Sequence, residues 1–156
     1  MTIFGKSFGE YLRFQRVFLI LAVAVGLGRL LLSLAGLPTG TVKWLSVTVV
    51  FLVAVVYYSV AVHLKGFGSY RQLLVLIFNQ SMVTQLVVVA SILLAIVTGH
   101  DNIYSIPEYA GGQDGKTLFH AVAHLVVGAL GSLVFWLLGC LILWVTKMAA
   151  RRPAAA

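Results

Sequence analysis

Charged residues are scarce in this sequence. Only 10% of its 156 residues are Asp, Glu, Lys or Arg, whereas 61% are hydrophobic and the mean hydropathy is +1.04. A soluble domain is usually about a quarter charged and about half apolar. A water-soluble fold of this length could not hide so much apolar surface. The composition therefore excludes the ordinary soluble classes and indicates an integral membrane protein.

Cysteines and catalytic motifs are also lacking. The single cysteine, Cys140, lies within an apolar run, which excludes an internal disulfide and any metal site with two thiolates. The sequence contains no nucleophile with its base, no Walker-type loop, no GxGxxG helix start and no paired membrane carboxylates. Hydrolase and nucleotide-enzyme functions therefore have no support in the sequence.

Long uncharged runs are what the sequence does contain. A helix needs about 20 residues, at about 1.5 Å each, to cross a hydrocarbon core of about 30 Å. Helices are expected because lipid offers no partner to backbone N–H and C=O groups. The sequence therefore predicts an all-α protein with one membrane domain over residues 1–156, a bundle of four transmembrane helices. The predicted spans are residues 17–37, 44–64, 73–98 and 118–146, with an external loop at residues 99–117.

The aromatic segment before the first span has a helical pattern of its own. Apolar residues at i, i+4, i+7 and i+8 fall on one face and charged residues fall opposite. The apolar set is Phe4, Phe8, Tyr11 and Leu12, and the charged set is Lys6, Glu10 and Arg13. This pattern predicts a short N-terminal helix in the membrane interface. The alternative is that the segment extends the first span into the headgroup region.

Basic residues are unevenly distributed among the connecting segments. Four crossings place eight of the eleven on one side: Lys6, Arg13, Arg16, Lys65, Arg71, Lys147, Arg151 and Arg152. By the positive-inside rule that side is the cytoplasm. We therefore predict a multi-pass protein of the cell membrane with both termini cytoplasmic and the loop at 99–117 on the opposite side. Topology and anionic lipid thus explain the net charge of +7, and nucleic acid is not an expected partner.

Arg29 interrupts the first predicted span. A charged side chain at membrane depth costs at least about 2.5 kcal/mol on insertion scales, so it needs a partner or access to water. Arg29 could contact an anion, a lipid headgroup or a quinone. The alternatives are snorkelling toward the outer headgroups and pairing with Asp101 or Glu108.

The third span carries a polar face, and two other spans carry stripes of small residues. Lipid cannot satisfy the hydrogen bonds of an amide, so Gln80, Thr84 and Gln85 are expected to bond to neighbouring helices. A polar permeation path is the alternative. Small residues allow helices to approach closely in lipid, either within the bundle or against a partner subunit. The small residues predicted to serve in this way are Gly26, Gly128, Ser132 and Gly139.

Histidines occur at both ends of the external loop. His120 and His124 lie four residues apart on the fourth span, so both project from one helical face and could ligate one metal ion. His100 ends the third span on the same side, and Asp101 follows it. These four residues form a candidate metal or haem site, because imidazole and carboxylate suit zinc, copper, iron or manganese. The alternative is that the histidines are hydrogen-bonded to loop groups.

The leading functional hypothesis is a small non-catalytic membrane protein, either an accessory subunit of a membrane complex or a self-assembling scaffold. Its expected partners are the lipid bilayer and either another membrane protein or further copies of itself. One alternative is a redox protein that binds a metal or haem through the outer histidines. Another is an oligomeric channel or transporter subunit whose path is lined by Gln80, Thr84, Gln85 and Arg29.

Overall fold

The computed structural model describes residues 2–151, and long apolar helices dominate it. Four segments are long and apolar enough to cross a membrane: α1, α2 together with α3, α4, and α5. The bounds are Phe8–Leu34 for α1, Thr39–Val42 for α2, Val47–Leu64 for α3, Tyr70–Thr98 for α4 and Leu118–Ala150 for α5. The prediction of an all-α bundle of four transmembrane helices is therefore confirmed.

The first described residues form a hairpin. Strand β1 (Thr2–Ile3) pairs antiparallel with strand β2 (Lys6–Ser7), and φ is positive at both turn residues, Phe4 (48°) and Gly5 (82°). Positive φ at both central residues is typical of the tight turns that match the twist of paired strands. Residues 2–7 therefore form a hairpin and not part of the predicted interfacial helix. From Phe8 onward the alternative prediction is the correct one, because the segment is the start of α1, which continues without a break to Leu34.

Side-chain caps fix the N-termini of α1 and α5. Ser7 Oγ accepts a hydrogen bond from the backbone N–H of Glu10 at 3.2 Å, and Glu10 Oε2 accepts one from the backbone N–H of Ser7 at 2.8 Å. This reciprocal capping box satisfies donors that the first turn of α1 leaves free. Thr117 Oγ1 caps α5 by accepting a single hydrogen bond from the backbone N–H of His120 at 3.1 Å.

The two ends of the bundle differ in charge. At one end Gln72 Nε2 donates to the carbonyl oxygen of Phe4 at 2.7 Å, and Lys147 Nζ donates to Ser69 Oγ at 2.8 Å. These bonds join the hairpin to the first turn of α4 and the end of α5 to the α3–α4 connection. We call this the basic end, and its residues are Lys6, Arg13, Arg16, Lys65, Arg71, Lys147 and Arg151. Arg152, predicted to lie with them, is outside the described residues. The opposite, loop end holds the α1–α2 connection and the external loop.

Each end has its own buried apolar cluster. The basic-end cluster includes Tyr11, Phe51, Tyr58, Leu73, Leu76, Ile77 and Leu143. The loop-end cluster includes Leu30, Val88, Ile92, Ile103, Tyr104 and Ala121. Between them α4 contributes buried polar residues, namely Gln80, Ser81 and Thr84. The interior is therefore layered, with a polar layer between two apolar ones.

The outward faces of α1 and α5 are apolar and exposed. On α5 the buried positions recur at intervals of seven and four residues: Ala121, Gly128, Ser132, Gly139 and Leu143. Leucines and valines fill much of the remaining surface, among them Leu130, Leu133, Val134, Leu137 and Leu141. A continuous apolar surface of this extent is unsuited to water, and lipid is the solvent it fits.

Candidate functional site

A cavity of about 210 Å³ lies at the loop end, between all four long helices and the external loop. We call it the Arg29 cavity. Each long helix contributes polar lining, and the loop adds two aromatic rings, Tyr104 and Tyr109. The polar residues from the helices are Arg29, Thr48, Thr84, Gln85 and His124. Among residues 2–151, no acidic side chain lines this cavity.

Arg29 lies on α1 five residues before the helix ends at Leu34, which corresponds to about 7.5 Å along the axis. Its Cζ atom lies 5.2 Å from the ring centre of Tyr104 and 5.4 Å from that of Tyr109. Both distances are within the cation–π range. Its Nε atom is buried and has no hydrogen-bond partner in the described part of the chain. A buried donor left without a partner costs about 1–3 kcal/mol.

Arg29 takes part in none of the ion pairs found among residues 2–151. Lys116 Nζ lies 2.8 Å from Asp101 Oδ1 and 3.4 Å from Asp114 Oδ1. The predicted pairing of Arg29 with Asp101 is therefore wrong, because a lysine of the same loop holds that carboxylate. Glu108, the other predicted partner, forms no ion pair within this part of the chain.

The external loop forms an ordered cap over the cavity. Tyr104 donates its hydroxyl to the carbonyl oxygen of Gly26 on α1 at 3.1 Å. Asn102 Nδ2 donates to the carbonyl oxygen of Ser91 on α4 at 2.7 Å, and Asn102 Oδ1 accepts from the backbone N–H of Tyr104 at 3.0 Å. Burial raises the pKa of the Tyr104 phenol above its ordinary value, so the hydroxyl remains a donor over the physiological range.

Gln80 and Gln85 on α4 have different roles. Gln80 Oε1 accepts from the Tyr58 hydroxyl on α3 at 2.9 Å, and Gln80 Nε2 donates to the carbonyl oxygen of Phe18 on α1 at 3.1 Å. Gln80 thus joins three helices. Gln85 lines the cavity, and its Oε1 lies 2.9 Å from Nδ1 of His124 on α5.

Sequence reasoning missed Gln15, which is fully buried on α1. Its Nε2 donates to the carbonyl oxygen of Leu76 at 2.6 Å, and its Oε1 accepts from Asn79 Nδ2 at 3.4 Å. A signal was present, because Gln15 lies seven residues before Ala22 and eleven before Gly26, on the same helical stripe.

His120 and His124 lie side by side on α5, with ring centres 4.9 Å apart. Nδ1 of His120 lies 2.9 Å from the carbonyl oxygen of Gly115. A carbonyl oxygen only accepts, so that Nδ1 carries a proton, and the contact of His124 with Gln85 Oε1 assigns the same tautomer there. Nε2 is therefore the ring nitrogen that is available to a metal ion when either histidine is unprotonated.

The structure places His100 and Asp101 apart from this histidine pair. Both line a different cavity, of about 540 Å³, together with Ser33 and Thr98. Within residues 2–151, no three His, Cys, Asp or Glu side chains form a group that could hold a metal ion. The four candidate ligands thus fall into two pairs, and metal binding at the histidine pair stays a prediction.

The candidate packing residues face the interior of the bundle. All four are buried: Gly26, Gly128, Ser132 and Gly139. A Cβ atom added at Gly26 would lie 2.6 Å from Val87 Cγ1, and one added at Gly128 would meet Gln85 Cγ. These glycines therefore allow α4 to approach α1 and α5 within one protomer.

Comparison with known proteins assigns no family to this chain. No family model, no curated protein and no solved structure matches it. Its function must therefore be argued from its own geometry.

Proposed function

We propose that this chain is a non-catalytic integral membrane protein that binds a small anionic group, a phosphate or a carboxylate, in the Arg29 cavity. One observation carries the proposal: the buried Nε of Arg29 has no hydrogen-bond partner among the described residues. An arginine fork presents donors that match carboxylate and phosphate oxygens in pairs. A bound anion would therefore supply the missing counter-charge, and it could accept from Nε once the Arg29 side chain turns that atom toward the cavity.

The surroundings of Arg29 favour an anion over a cation. The carboxylate of Asp101 is paired with Lys116 and is not available to Arg29. Thr48 and Gln85 add neutral groups that can donate hydrogen bonds to the same anion. Charged and neutral donors thus converge on one site, as in specific binding pockets.

The size of the cavity limits the ligand. Pockets for drug-sized ligands usually have volumes of about 300–1,000 Å³, whereas the Arg29 cavity has about 210 Å³. It therefore suits a compact anionic group rather than a large ring system such as a haem.

The cavity supports binding better than catalysis. Thr84 donates its hydroxyl to the carbonyl oxygen of Gln80 at 2.9 Å, and Nδ1 of His124 is bonded to Gln85. This arrangement does not pair a nucleophile with a base. A binding role agrees with the hypothesis of an accessory subunit or scaffold. Native purification in mild detergent with mass analysis tests for the protein partner that this hypothesis requires.

Anion binding can be tested by thermal unfolding of the purified protein in detergent. Inorganic phosphate should raise Tm relative to chloride at equal ionic strength, because a ligand of the native state stabilises it by mass action. Arg29→Gln should abolish the increase. Lys43→Gln removes a charge from the same end outside the cavity and should preserve it. An equal increase in the Arg29→Gln variant would refute the proposal.

A second candidate function, transition-metal binding, is favoured by the hydrogen bonds of the histidine pair. Metal-bound histidines usually donate the other ring N–H to a carbonyl or carboxylate, which fixes the tautomer and the orientation of the ring. His120 and His124 already make such bonds to Gly115 and Gln85. Zinc or copper titration should show uptake that is lost in His120→Ala and His124→Ala and kept in His100→Ala. Uptake that is unchanged in the first two variants would exclude this site, and a Soret band would indicate haem instead.

The oligomeric channel hypothesis is constrained by the basic-end cluster. Phe51, Tyr58 and Leu76 are buried between the Arg29 cavity and the basic end, where they fill the interior. A conduction path would therefore have to run between protomers. Gln85 lines a cavity within the protomer, so full flux into proteoliposomes in Gln85→Leu would count against the predicted lining. Lost flux would refute a path between protomers and would support one that enters the protomer at this cavity.

A further inference from the structure

The Arg29 cavity adjoins a second cavity of about 160 Å³ between α3, α4 and α5. The two share Thr48, Thr84 and Gln85 in their walls. Beyond these shared residues the second cavity is mainly apolar. We call this part the α3–α5 groove, and its residues are Phe51, Ser81, Val127, Gly128, Gly131 and Phe135. A charged, polar pocket thus continues into an apolar groove.

The groove opens on the lipid-facing surface of the bundle. Val127 on its rim is 63% exposed, and Thr48 opposite it is also exposed. A Cβ atom added at Gly131 would meet no atom within 4 Å. Phe51 and Phe135 stack edge to face with ring centres 5.0 Å apart, where the groove adjoins the basic-end cluster. A flexible apolar chain could therefore enter the groove from the bilayer.

The order of the two cavities along α5 matches the order of groups in a lipid. α5 begins at Leu118, so His124 in the first cavity lies about 9 Å below that end and Gly131 in the groove about 20 Å below it. The polar pocket is thus near the loop-end surface, and the groove is nearer the middle of the bilayer. A lipid in the leaflet at the loop end has the same orientation, with its headgroup outward and its acyl chains inward.

We propose that the anion bound at Arg29 is the headgroup of an anionic phospholipid and that one acyl chain of this lipid occupies the α3–α5 groove. This inference rests on the proposed function and names its ligand. The charge of Arg29 complements a phosphate, and a cavity of about 210 Å³ admits a compact headgroup. The adjoining groove, of about 160 Å³, offers an apolar place for part of one acyl chain, which the Arg29 cavity is too small to hold.

The test compares lipid retention with the response to free phosphate. The protein is purified from micelles that contain phosphatidylcholine and phosphatidic acid, and the lipid retained is counted by native mass spectrometry. The wild type should retain phosphatidic acid in preference to phosphatidylcholine. Gly131→Leu, which fills the groove, should lower that retention by about tenfold, a change equal to about 1.4 kcal/mol. It should leave the Tm increase from inorganic phosphate unchanged.

Three further variants complete the design. Val127→Phe fills the groove from its exposed rim and should act like Gly131→Leu. Gly9→Leu adds the same side chain at the basic end, where a Cβ atom also meets nothing within 4 Å, and should behave as the wild type. Arg29→Gln should lose both lipid retention and the phosphate response.

The outcomes separate this inference from the proposed function. If Gly131→Leu and Val127→Phe, the two groove variants, retained phosphatidic acid at the level of the wild type, the inference would be overturned and anion binding would be left intact. Equal retention of phosphatidylcholine and phosphatidic acid by the wild type would also overturn it, because the headgroup would then not be selected. Loss of the phosphate response in both groove variants would count against a groove that is separate from the cavity. A phosphate response that survives Arg29→Gln would remove the proposed function itself.

Discussion

The hydroxyl of Tyr104 donates a hydrogen bond to the carbonyl oxygen of Gly26 at 3.1 Å, which ties the external loop to α1 three residues before Arg29. The same tyrosine ring lies 5.2 Å from the guanidinium of Arg29. Its neighbour Ile103 donates its backbone N–H to Ser33 Oγ on α1 at 2.9 Å. The loop, the last turns of α1 and the Arg29 cavity are therefore mechanically one unit.

Removal of the Tyr104 hydroxyl should loosen this unit. Tyr104→Phe keeps the aromatic ring beside Arg29 but leaves the carbonyl of Gly26 without this donor. We expect the free energy of unfolding in detergent to fall by about 1 kcal/mol, the usual net value of such a bond. Tyr109→Phe is the matched control, because the Tyr109 hydroxyl forms no hydrogen bond with the described residues and its ring also lies near Arg29. Equal stability of the two variants would show that the bond to Gly26 contributes nothing.

The close approach of α1 and α4 at Gly26 gives a second prediction. In Gly26→Ala the new methyl group would lie 2.6 Å from Val87 Cγ1, so Val87 must change rotamer or the two helices must move apart. Such overpacking usually costs about 1–3 kcal/mol. Gly28→Ala on the same helix introduces the same methyl group where no atom lies within 4 Å. We expect unfolding measurements to show destabilisation in Gly26→Ala alone, and similar effects of both variants would refute the proposed contact.

The helices and their inward faces could be predicted from local sequence because lipid imposes simple rules. A span has to be long and apolar, and a small or polar residue within it is favoured at a helix contact. This reasoning places Gly26 and Arg29 on the inward stripe of α1 and Gln80 at a helix contact. In the structure Gly26 is buried, the half-buried Arg29 lines the cavity, and Gln80 bonds to α1 and α3. It does not extend to residues 2–7, where positive φ at Phe4 and Gly5 produces a hairpin despite a helical spacing of apolar residues.

The partners of charged loop residues could not be predicted in this way. Lys116 reaches Asp101 across fifteen residues of loop, and only the folded conformation of that loop decides the pairing. With Asp101 paired to Lys116, Arg29 has no carboxylate partner among residues 2–151, and the lining that the structure describes for its cavity is basic and neutral. The cavity itself could not be predicted either, because its walls come from four helices and the loop, and its shape depends on how these pack together.

The loop should respond to acid through Asp114. The backbone N–H of Lys116 donates to Asp114 Oδ1 at 2.9 Å and, with the ammonium of the same residue, lowers the pKa of that carboxyl below its ordinary 3.8. A lowered folded-state pKa stabilises the fold above the ordinary value, and this contribution is lost as the pH falls through the folded-state pKa. Asp114→Asn should therefore lower Tm at neutral pH, and the difference from the wild type should shrink below pH 3.8. A difference that is constant with pH would contradict this assignment.

Lys116 should show the opposite dependence. Its hydrogen bond to Asp101 raises the pKa of its ammonium above the ordinary 10.5, with a further contribution from Asp114. The stabilisation it provides is present below 10.5 and disappears as the pH rises through the folded-state pKa. The Tm difference between the wild type and Lys116→Gln should accordingly persist at neutral pH and vanish in strong alkali. Lys43→Gln, which alters a lysine outside these ion pairs at the same end, should show no comparable change.

The orientation of the bundle can be tested with single cysteines in a Cys140→Ala background. Lys65 lies at the basic end and Asp114 at the loop end, and both are exposed. If lipid surrounds the four helices, these ends lie on opposite sides of the membrane, and the positive-inside rule places the basic end in the cytoplasm. In intact cells an impermeant maleimide should therefore label Asp114→Cys and spare Lys65→Cys, and both should react after permeabilisation. Labelling of both residues in intact cells, or of Lys65→Cys alone, would refute the predicted topology.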